Sequence, residues 1–496
     1  MDRWRRRFWI LLAIVVGIPL VIGIALAVRF LPNRPVTYSN IEEHFKYGST
    51  GGYIASGFPY WIWKALPVVF KDRLPRNGAP GYEAFGMIFE PGHDLPVGTQ
   101  KGRSLGIDRV FVNCAVCHHS TVRDSPSSPP RVYLGMPAAR LDLGAFETFL
   151  FDVATDERFD ADHIVPEVER QAGRRLSLID RYLVYPVAIA LMQQRIMTLR
   201  ARFLPMHPEG WGPGRVDTFN SSKAYFNFPI GSLPDAEIHG VAEFPSIWNQ
   251  GKKRGMQLHW DGNNTDVTER NKNAAFGTGT LPSTVDLDAI GRIETWLWTL
   301  KPPSYPYPID RALAARGATI YKEYCAACHG AGGDDFSGPL VGKVTPIDQI
   351  GTDRYRLDSF TYELATNLGQ PYAGEPYRFK HFIKTYGYAN LPLDGLWLRA
   401  PYLHNGSVPT LRDLLEPAAQ RPPDFFRGYD VFDPKKVGFV SSVAQENGRT
   451  YYHFETRGPD GKFIPGNGNQ GHEGKAYGTE LPPADKDALV EFLKTF

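Results

Sequence analysis

The chain of 496 residues has four cysteines, and all of them fall in two five-residue patterns, Cys114-Ala115-Val116-Cys117-His118 and Cys325-Ala326-Ala327-Cys328-His329. Cys-x-x-Cys-His is the attachment pattern of c-type haem. Two thiols on one helical turn add across the haem vinyl groups as thioethers, and the histidine that follows coordinates the iron from the same side. A zinc site or a pair of disulfides is the alternative. Zinc ribbons, however, space their cysteine pairs by roughly 15 to 20 residues, whereas these lie about 210 apart, each with its own histidine. The duplication also disfavours thioredoxin-like redox chemistry. The spacing therefore predicts two covalently bound c-type haems. Cys114, Cys117, Cys325 and Cys328 would be the attachment residues, with His118 and His329 as proximal iron ligands.

Haem of this kind is attached outside the cytoplasm, and the amino terminus fits export. Arg3, Arg5, Arg6 and Arg7 precede an uncharged run from Phe8 to Val28, which as a helix would span about 31 Å. The positive-inside bias keeps the start cytoplasmic and sends the rest outward, predicting a single-pass anchor in a bacterial inner membrane with the haem domains in the periplasm. A cleaved signal ending near Ala25-Leu26-Ala27 is the rival reading, though the apolar run is long for one. A second apolar stretch, Tyr182 to Met192, is too short to span and contains Pro186; it reads as a core helix, with a membrane-resting helix as the alternative. The net charge of +2 provides no basic surface for nucleic acid. With 43% hydrophobic residues the chain can bury a core, while 49 Gly and 41 Pro predict much irregular chain.

Helical periodicity over Asp286 to Leu300, stopped by Pro302-Pro303, marks the end of one unit. A helical stretch from Arg311 to Tyr324 leads into the second motif, and Pro482-Pro483 opens a closing helix with Leu489, Val490, Leu493 and Phe496 on one face. The predicted fold is mainly α with extensive irregular loops: two cytochrome c-like haem domains in tandem behind an N-terminal transmembrane helix. The expected boundaries are 1–30 for the anchor, 31–101 for a lead-in of unclear fold, 102–303 for the first haem domain and 304–496 for the second.

Three further segments carry a resemblance. They are Phe244-Pro245-Ser246-Ile247-Trp248-Asn249, then Leu258-His259-Trp260-Asp261-Gly262, and after the second motif Arg399-Ala400-Pro401-Tyr402-Leu403-His404-Asn405-Gly406-Ser407-Val408-Pro409-Thr410-Leu411. In this order they resemble the bacterial diheme cytochrome c peroxidase superfamily. Gly212-Pro213-Gly214-Arg215-Val216-Asp217 and Gly466-Asn467-Gly468-Asn469-Gln470-Gly471-His472-Glu473 look most like its rubber-oxygenase-like branch, whose members cleave polyisoprene with dioxygen. The resemblance implies that Trp260 lies between the haems and relays electrons, the alternative being a buried core indole. It also implies that His404 lies near the second haem, the alternative being a hydrogen-bonded loop histidine. Some relatives hold calcium between the domains, and no ligand set here is specific enough to claim it.

Sixth ligands follow from the same resemblance. Peroxidases of the superfamily use a methionine on the second haem, but the last methionine here is Met256 and none follows Cys325. His381, His404, His453 and His472 remain, and His472, in the closing motif, is the expected ligand; a tyrosine, as in the related methylamine-utilisation diheme enzyme, is the other option. Where resting peroxidases carry a distal histidine on the first haem, this chain has Leu134. His119 should point away from the iron, and Met136 reads as packing. The first haem is therefore expected to keep an open position. From Arg270 to Val285 there is no Asp or Glu to serve as the peroxidase acid, Glu269 stands closer to Trp260, and Phe276 is assigned to an apolar distal pocket.

Two functions are consistent with these features. One is an oxidoreductase whose first haem activates dioxygen or hydrogen peroxide and whose bis-His second haem transfers electrons. The other is a non-catalytic electron carrier serving a respiratory or dehydrogenase chain. Either requires a redox partner protein or a quinone-linked electron donor.

Overall fold

The computed structural model describes residues 2–206 and 210–496. Helix dominates, at 44% of the chain. It begins with α1 (Arg3–Phe30), whose length and composition are those of a membrane span or of an export signal. No charged side chain interrupts it between Phe8 and Val28, so nothing opposes its transfer into an apolar phase.

The segment expected as a lead-in folds into the first motif's surroundings. Helix α2 (Ile41–Tyr47) is capped by Asn40, whose side chain accepts from the amides of Glu42 and Glu43, and α3 (Tyr60–Val69) buries Ile62, Trp63 and Leu66. Strands β1 (Arg34–Pro35), β2 (Phe58–Pro59), β3 (Thr99–Ser104) and β4 (Ile107–Val112) form a sheet in the order β1-β3-β4-β2. Strand β3 carries the chain across the boundary expected between residues 101 and 102. The alternation of Thr99, Gln100 and their neighbours was too polar to read as a strand, yet its partner β4 supplies Val110 to the core. The first motif follows β4 directly, and β5 (His119–Val122) and β6 (Arg131–Leu134) form the hairpin after it.

Helices α4 (Leu143–Ala154), α5 (Ala161–Ala172) and α6 (Tyr185–Phe203) pack behind this sheet around Trp63, Phe85, Phe146, Phe149 and Val165. Strands β7 (Arg215–Val216) and β8 (Ala242–Glu243) pair and lead to α7 (Val267–Gly277) and α8 (Leu287–Leu297), capped by Asp266 and Asp286. The helical stretches expected near both motif ends are present. Helix α9 (Arg311–Tyr324), capped by Asp310, runs into the second motif and lies against α10 (Pro483–Leu493). The two backbones meet at Gly317, where an added Cβ would lie 2.0 Å from the Ala488 carbonyl oxygen. Only glycine allows that approach. Between them β9 (Val344–Pro346) pairs with β10 (Gly387–Ala389).

Candidate functional site

The first motif is a short 3-10 turn, Cys114–Cys117, held from both sides by Asn113. The Asn113 side chain accepts from Ala115 N at 3.0 Å and donates to the carbonyls of Lys46 and Gly48. Ala115 and Val116 are buried, while Cys114, Cys117 and His118 keep accessible surface although the enclosing protein dominates their ionisation. Burial lowers His118 to about 3 and raises Cys114 to about 11 and Cys117 to about 12. The two spacer residues thus anchor the turn and leave the three reactive side chains partly accessible. His118 Nδ1 lies 3.0 Å from the carbonyl oxygen of Pro245. A carbonyl can only accept, so Nδ1 carries the proton and Nε2 is left with its lone pair free, the tautomer a metal ligand needs.

The second motif is built differently and ends in the same arrangement. Helix α9 delivers Cys325, a helical turn covers Ala326–His329, and Tyr321 donates to Gly330 O at 2.8 Å to fix the exit. His329 Nδ1 donates to Leu391 O at 2.8 Å, and burial again holds the ring neutral. Facing it is His472. The two ring centroids are 6.2 Å apart, inclined at 45°. Two imidazoles bonded to one metal at about 2 Å each put their centroids roughly 6 Å apart, so the pair fits the two axial ligands of a haem iron. His472 is held neutral at about 3 by burial and by His329, and its Nδ1 is buried without a partner. Its backbone occupies the left-handed region at φ 47, braced by its amide donating to Ile350 O at 2.7 Å and by Arg421, which donates to the carbonyls of Asn469, Gly471 and His472. The other three histidines are committed elsewhere: His381 to Glu269, His404 to Tyr388, and His453, exposed, to Asp424. The Tyr477 ring lies 4.8 Å from that of His472, inclined at 47°, and does not displace it.

Among the described residues, no imidazole faces His118 as His472 faces His329. His119 turns away: its Nδ1 is hydrogen-bonded to Ala115 O, and its backbone pairs with Leu134 in the hairpin. Met136 is fully buried in the core with Val122 and Trp248.

Trp260 is tied to both histidines through backbone. Its indole Nε1 donates to Glu243 O at 2.8 Å, two residues before Pro245, whose carbonyl orients His118. Its own carbonyl accepts from Ala389 N at 2.8 Å, two residues before Leu391, whose carbonyl orients His329. The Glu243 amide donates in turn to His404 O at 2.8 Å. His404 is buried and stacks on Tyr388 at 4.1 Å. Because the Tyr388 hydroxyl donates to Asp353 O, it accepts from His404 Nε2 at 3.0 Å. The Glu243 carboxylate meets Arg427 in a fully buried ion pair at 2.5 Å, and Arg215 beside it donates to Asn467 Oδ1 and Gly466 O. The segments carrying Arg215, His404 and His472 therefore close around one buried charged knot.

Phe276 is half-buried and packs edge-on to Tyr225 at 4.8 Å and Tyr372 at 6.3 Å. Glu269 is spent on structure: its oxygens accept from Asn264, from the amides of Lys380 and His381, and from His381 Nδ1. Three residues near the first motif escape sequence reasoning. The Glu147 carboxyl is pushed up to about 8 by burial, with Oε2 unpartnered, and lies close enough to raise the Cys117 thiol. The Arg270 guanidinium depresses both His118 and His259. His259, neutral and left-handed at φ 65, binds Asn263 through Nδ1 at 2.6 Å. Glu147 and Arg270 belong to no recognisable motif, whereas His259 stands beside Trp260 in the Leu258 to Gly262 segment. The four thiols are free of disulfides, and among the described residues no three His, Cys, Asp or Glu gather into a metal-holding cluster.

This geometry fits cytochrome c-like domains, and comparison with known proteins agrees. Residues 312–357, which include α9 and the second motif, match the family described as Cytochrome C oxidase, cbb3-type, subunit III. Residues 387–427, which include Leu391 and the Arg399 to Leu411 segment, match the family described as RoxA-like, cytochrome c-like. Cytochrome c-like domains are present, and they imply covalently bound c-type haem. The chain is similar to two proteins of Sinorhizobium fredii (strain NBRC 101917 / NGR234). It is 27% identical to uncharacterized protein y4iJ across 99% of both chains. It is 32% identical to uncharacterized protein y4iM over 291 residues, 51% of this chain and 64% of that protein, so this second match spans just under two thirds of the relative.

Proposed function

We propose that the chain is a membrane-anchored, periplasm-facing diheme oxidoreductase of the rubber-oxygenase-like branch of the diheme cytochrome c peroxidase superfamily, with a reactive first site and an electron-transferring second site. The observation that carries this reading is the asymmetry of the two histidines: His472 stands 6.2 Å across from His329, and His118 has no counterpart among the described residues. When bound, a c-type haem supplies a one-electron couple and, where an axial position is open, a place for dioxygen or peroxide to bind.

The protein groups divide the remaining work. The Pro245 and Leu391 carbonyls fix the tautomer and ring plane of His118 and His329. His472 closes the second site to small ligands. Trp260 offers the shortest path between the two orienting carbonyls, entered through Glu243 and left through Ala389. Arg270 brings positive charge to the first site, and Glu147 holds its proton at neutral pH because burial opposes its ionisation. The stretch from Arg270 to Val285 has no carboxylate, which favours an apolar pocket including Phe276 over an acid-assisted peroxidase site.

Carbon monoxide titration of the reduced protein tests this assignment. One ligand bound per two haems is expected. No binding would instead favour the electron carrier, the reading that the membrane-spanning length of α1 supports, with a quinone-linked donor or redox partner protein beside it.

A further inference from the structure

The apolar stretch expected as a core helix is only half covered. In α6, Tyr185, Ile189, Met192 and Ile196 are buried against the core. At about 100° per residue the opposite face carries Val187 and Leu191, exposed by 49% and 60%, and the segment leading into the helix adds Ile179, Tyr182 and Leu183, at 52%, 71% and 60%. A continuous apolar stripe of this kind marks a contact surface.

Its position identifies the contact. Arg29, at the outer end of α1, forms an ion pair with Asp180, where the stripe begins. Phe30 lies against Gly106 in the β3–β4 turn, so the stripe starts at the level where the apolar span stops. Beside it, Arg34 and Arg103 stand directly opposite each other across β1 and β3 and, with Arg29, line a cavity of about 250 Å³; Arg103 is half-neutralised by Asp108 at 3.2 Å through one of its terminal nitrogens, and Arg34 has no carboxylate partner among the described ion pairs. Like charges opposed across strands are destabilising unless an anion joins them. Arg174 and Arg175, just before the stripe, are exposed. An apolar face edged by arginines is the composition of a helix lying in a lipid interface.

We infer that α6 lies along the outer leaflet of the membrane crossed by α1, with Arg29, Arg34 and Arg103 facing the phosphates of anionic phospholipids. The inference rests on α1 being a retained anchor. It fixes the face that the soluble body turns to the bilayer and places a lipid-immersed surface behind the first site.

Because all four native cysteines are in haem-attachment motifs, a cysteine added to the full-length holoprotein is its one labelling site. Nitroxides at Leu183→Cys, Val187→Cys and Leu191→Cys, in nanodiscs of phosphatidylethanolamine and phosphatidylglycerol, are compared with a nitroxide at exposed Lys435→Cys. Power-saturation EPR should give an oxygen-to-nickel-chelate accessibility ratio several-fold higher at the three stripe positions. A water-like ratio there overturns the inference. Low accessibility to both reagents also overturns it, by showing a protein cover, whether a second copy or another partner. An intact mass lacking the first 30 residues would instead reject the anchor reading itself, separating that failure from the other two.

Discussion

The two Cys-x-x-Cys-His motifs share a chemistry and an orienting hydrogen bond but differ in what faces the histidine. In each, Nδ1 donates to a backbone carbonyl, Pro245 for His118 and Leu391 for His329. The first motif, however, sits on a 3-10 turn between strands, with Glu147 and Arg270 nearby and no opposing imidazole among the described residues. The second closes a helix hairpin and faces His472. In the proposed reading, the motif fixes the proximal side, and the distant chain that folds over it decides whether the site exchanges electrons only or also meets a ligand.

The comparison can be broken most severely at the cysteines. Cys325→Ala with Cys328→Ala should leave half the covalently bound haem, measured as haem retained through denaturing electrophoresis and as pyridine haemochrome absorbance; haem that extracts freely from the native chain would refute covalent attachment. Removing the facing ligand should make the two sites alike. His472→Ala is expected to convert the second site to high-spin and raise carbon monoxide binding from one to two per protein, and an unchanged spectrum would reject the ligand. A structural variant should weaken one region alone. Gly317→Ala forces a Cβ to within 2.0 Å of Ala488 O, and thermal unfolding followed at the second haem should show a loss of about 1–3 kcal/mol, the usual cost of overpacking.

Smaller effects sharpen the link and the asymmetry. Trp260→Phe removes the 2.8 Å bond to Glu243 O and should slow electron transfer between the haems in flash photolysis, with both optical spectra intact. The Glu147 carboxyl is raised to about 8 in the fold, above its unfolded value. Its neutral form is thus favoured by folding, and that stability is present at low pH and lost as pH rises through about 8. The melting temperature should fall between about pH 5 and pH 8, and Glu147→Gln, which stays neutral, should flatten that decline.

What could be read from sequence was local. The motifs, the helix entering Cys325, the closing helix and the segment around Trp260 each declare themselves within a dozen residues. His472 could be reached because no methionine follows Cys325 and because its glycine-rich setting resembles a known branch. The rest depends on contacts far apart in the chain. Nothing near Pro245 or Leu391 announces a carbonyl that orients a histidine, and Glu147 and Arg270 gain significance only from burial beside the first motif. Strand β3 was hidden by its polar residues, which a covered sheet tolerates. The stretch from Tyr182 to Met192 reads as a core helix because it is too short to span, but both of its faces are apolar and periodicity cannot say which one the protein covers.

The most direct measurement of the central claim is the low-temperature EPR spectrum of the oxidised protein, which reports coordination at each iron without knowledge of a substrate. The ligand asymmetry predicts one high-spin and one low-spin ferric signal in equal amounts, with the low-spin signal lost in His472→Ala. Two low-spin signals, unchanged when the second site is reduced, would contradict it.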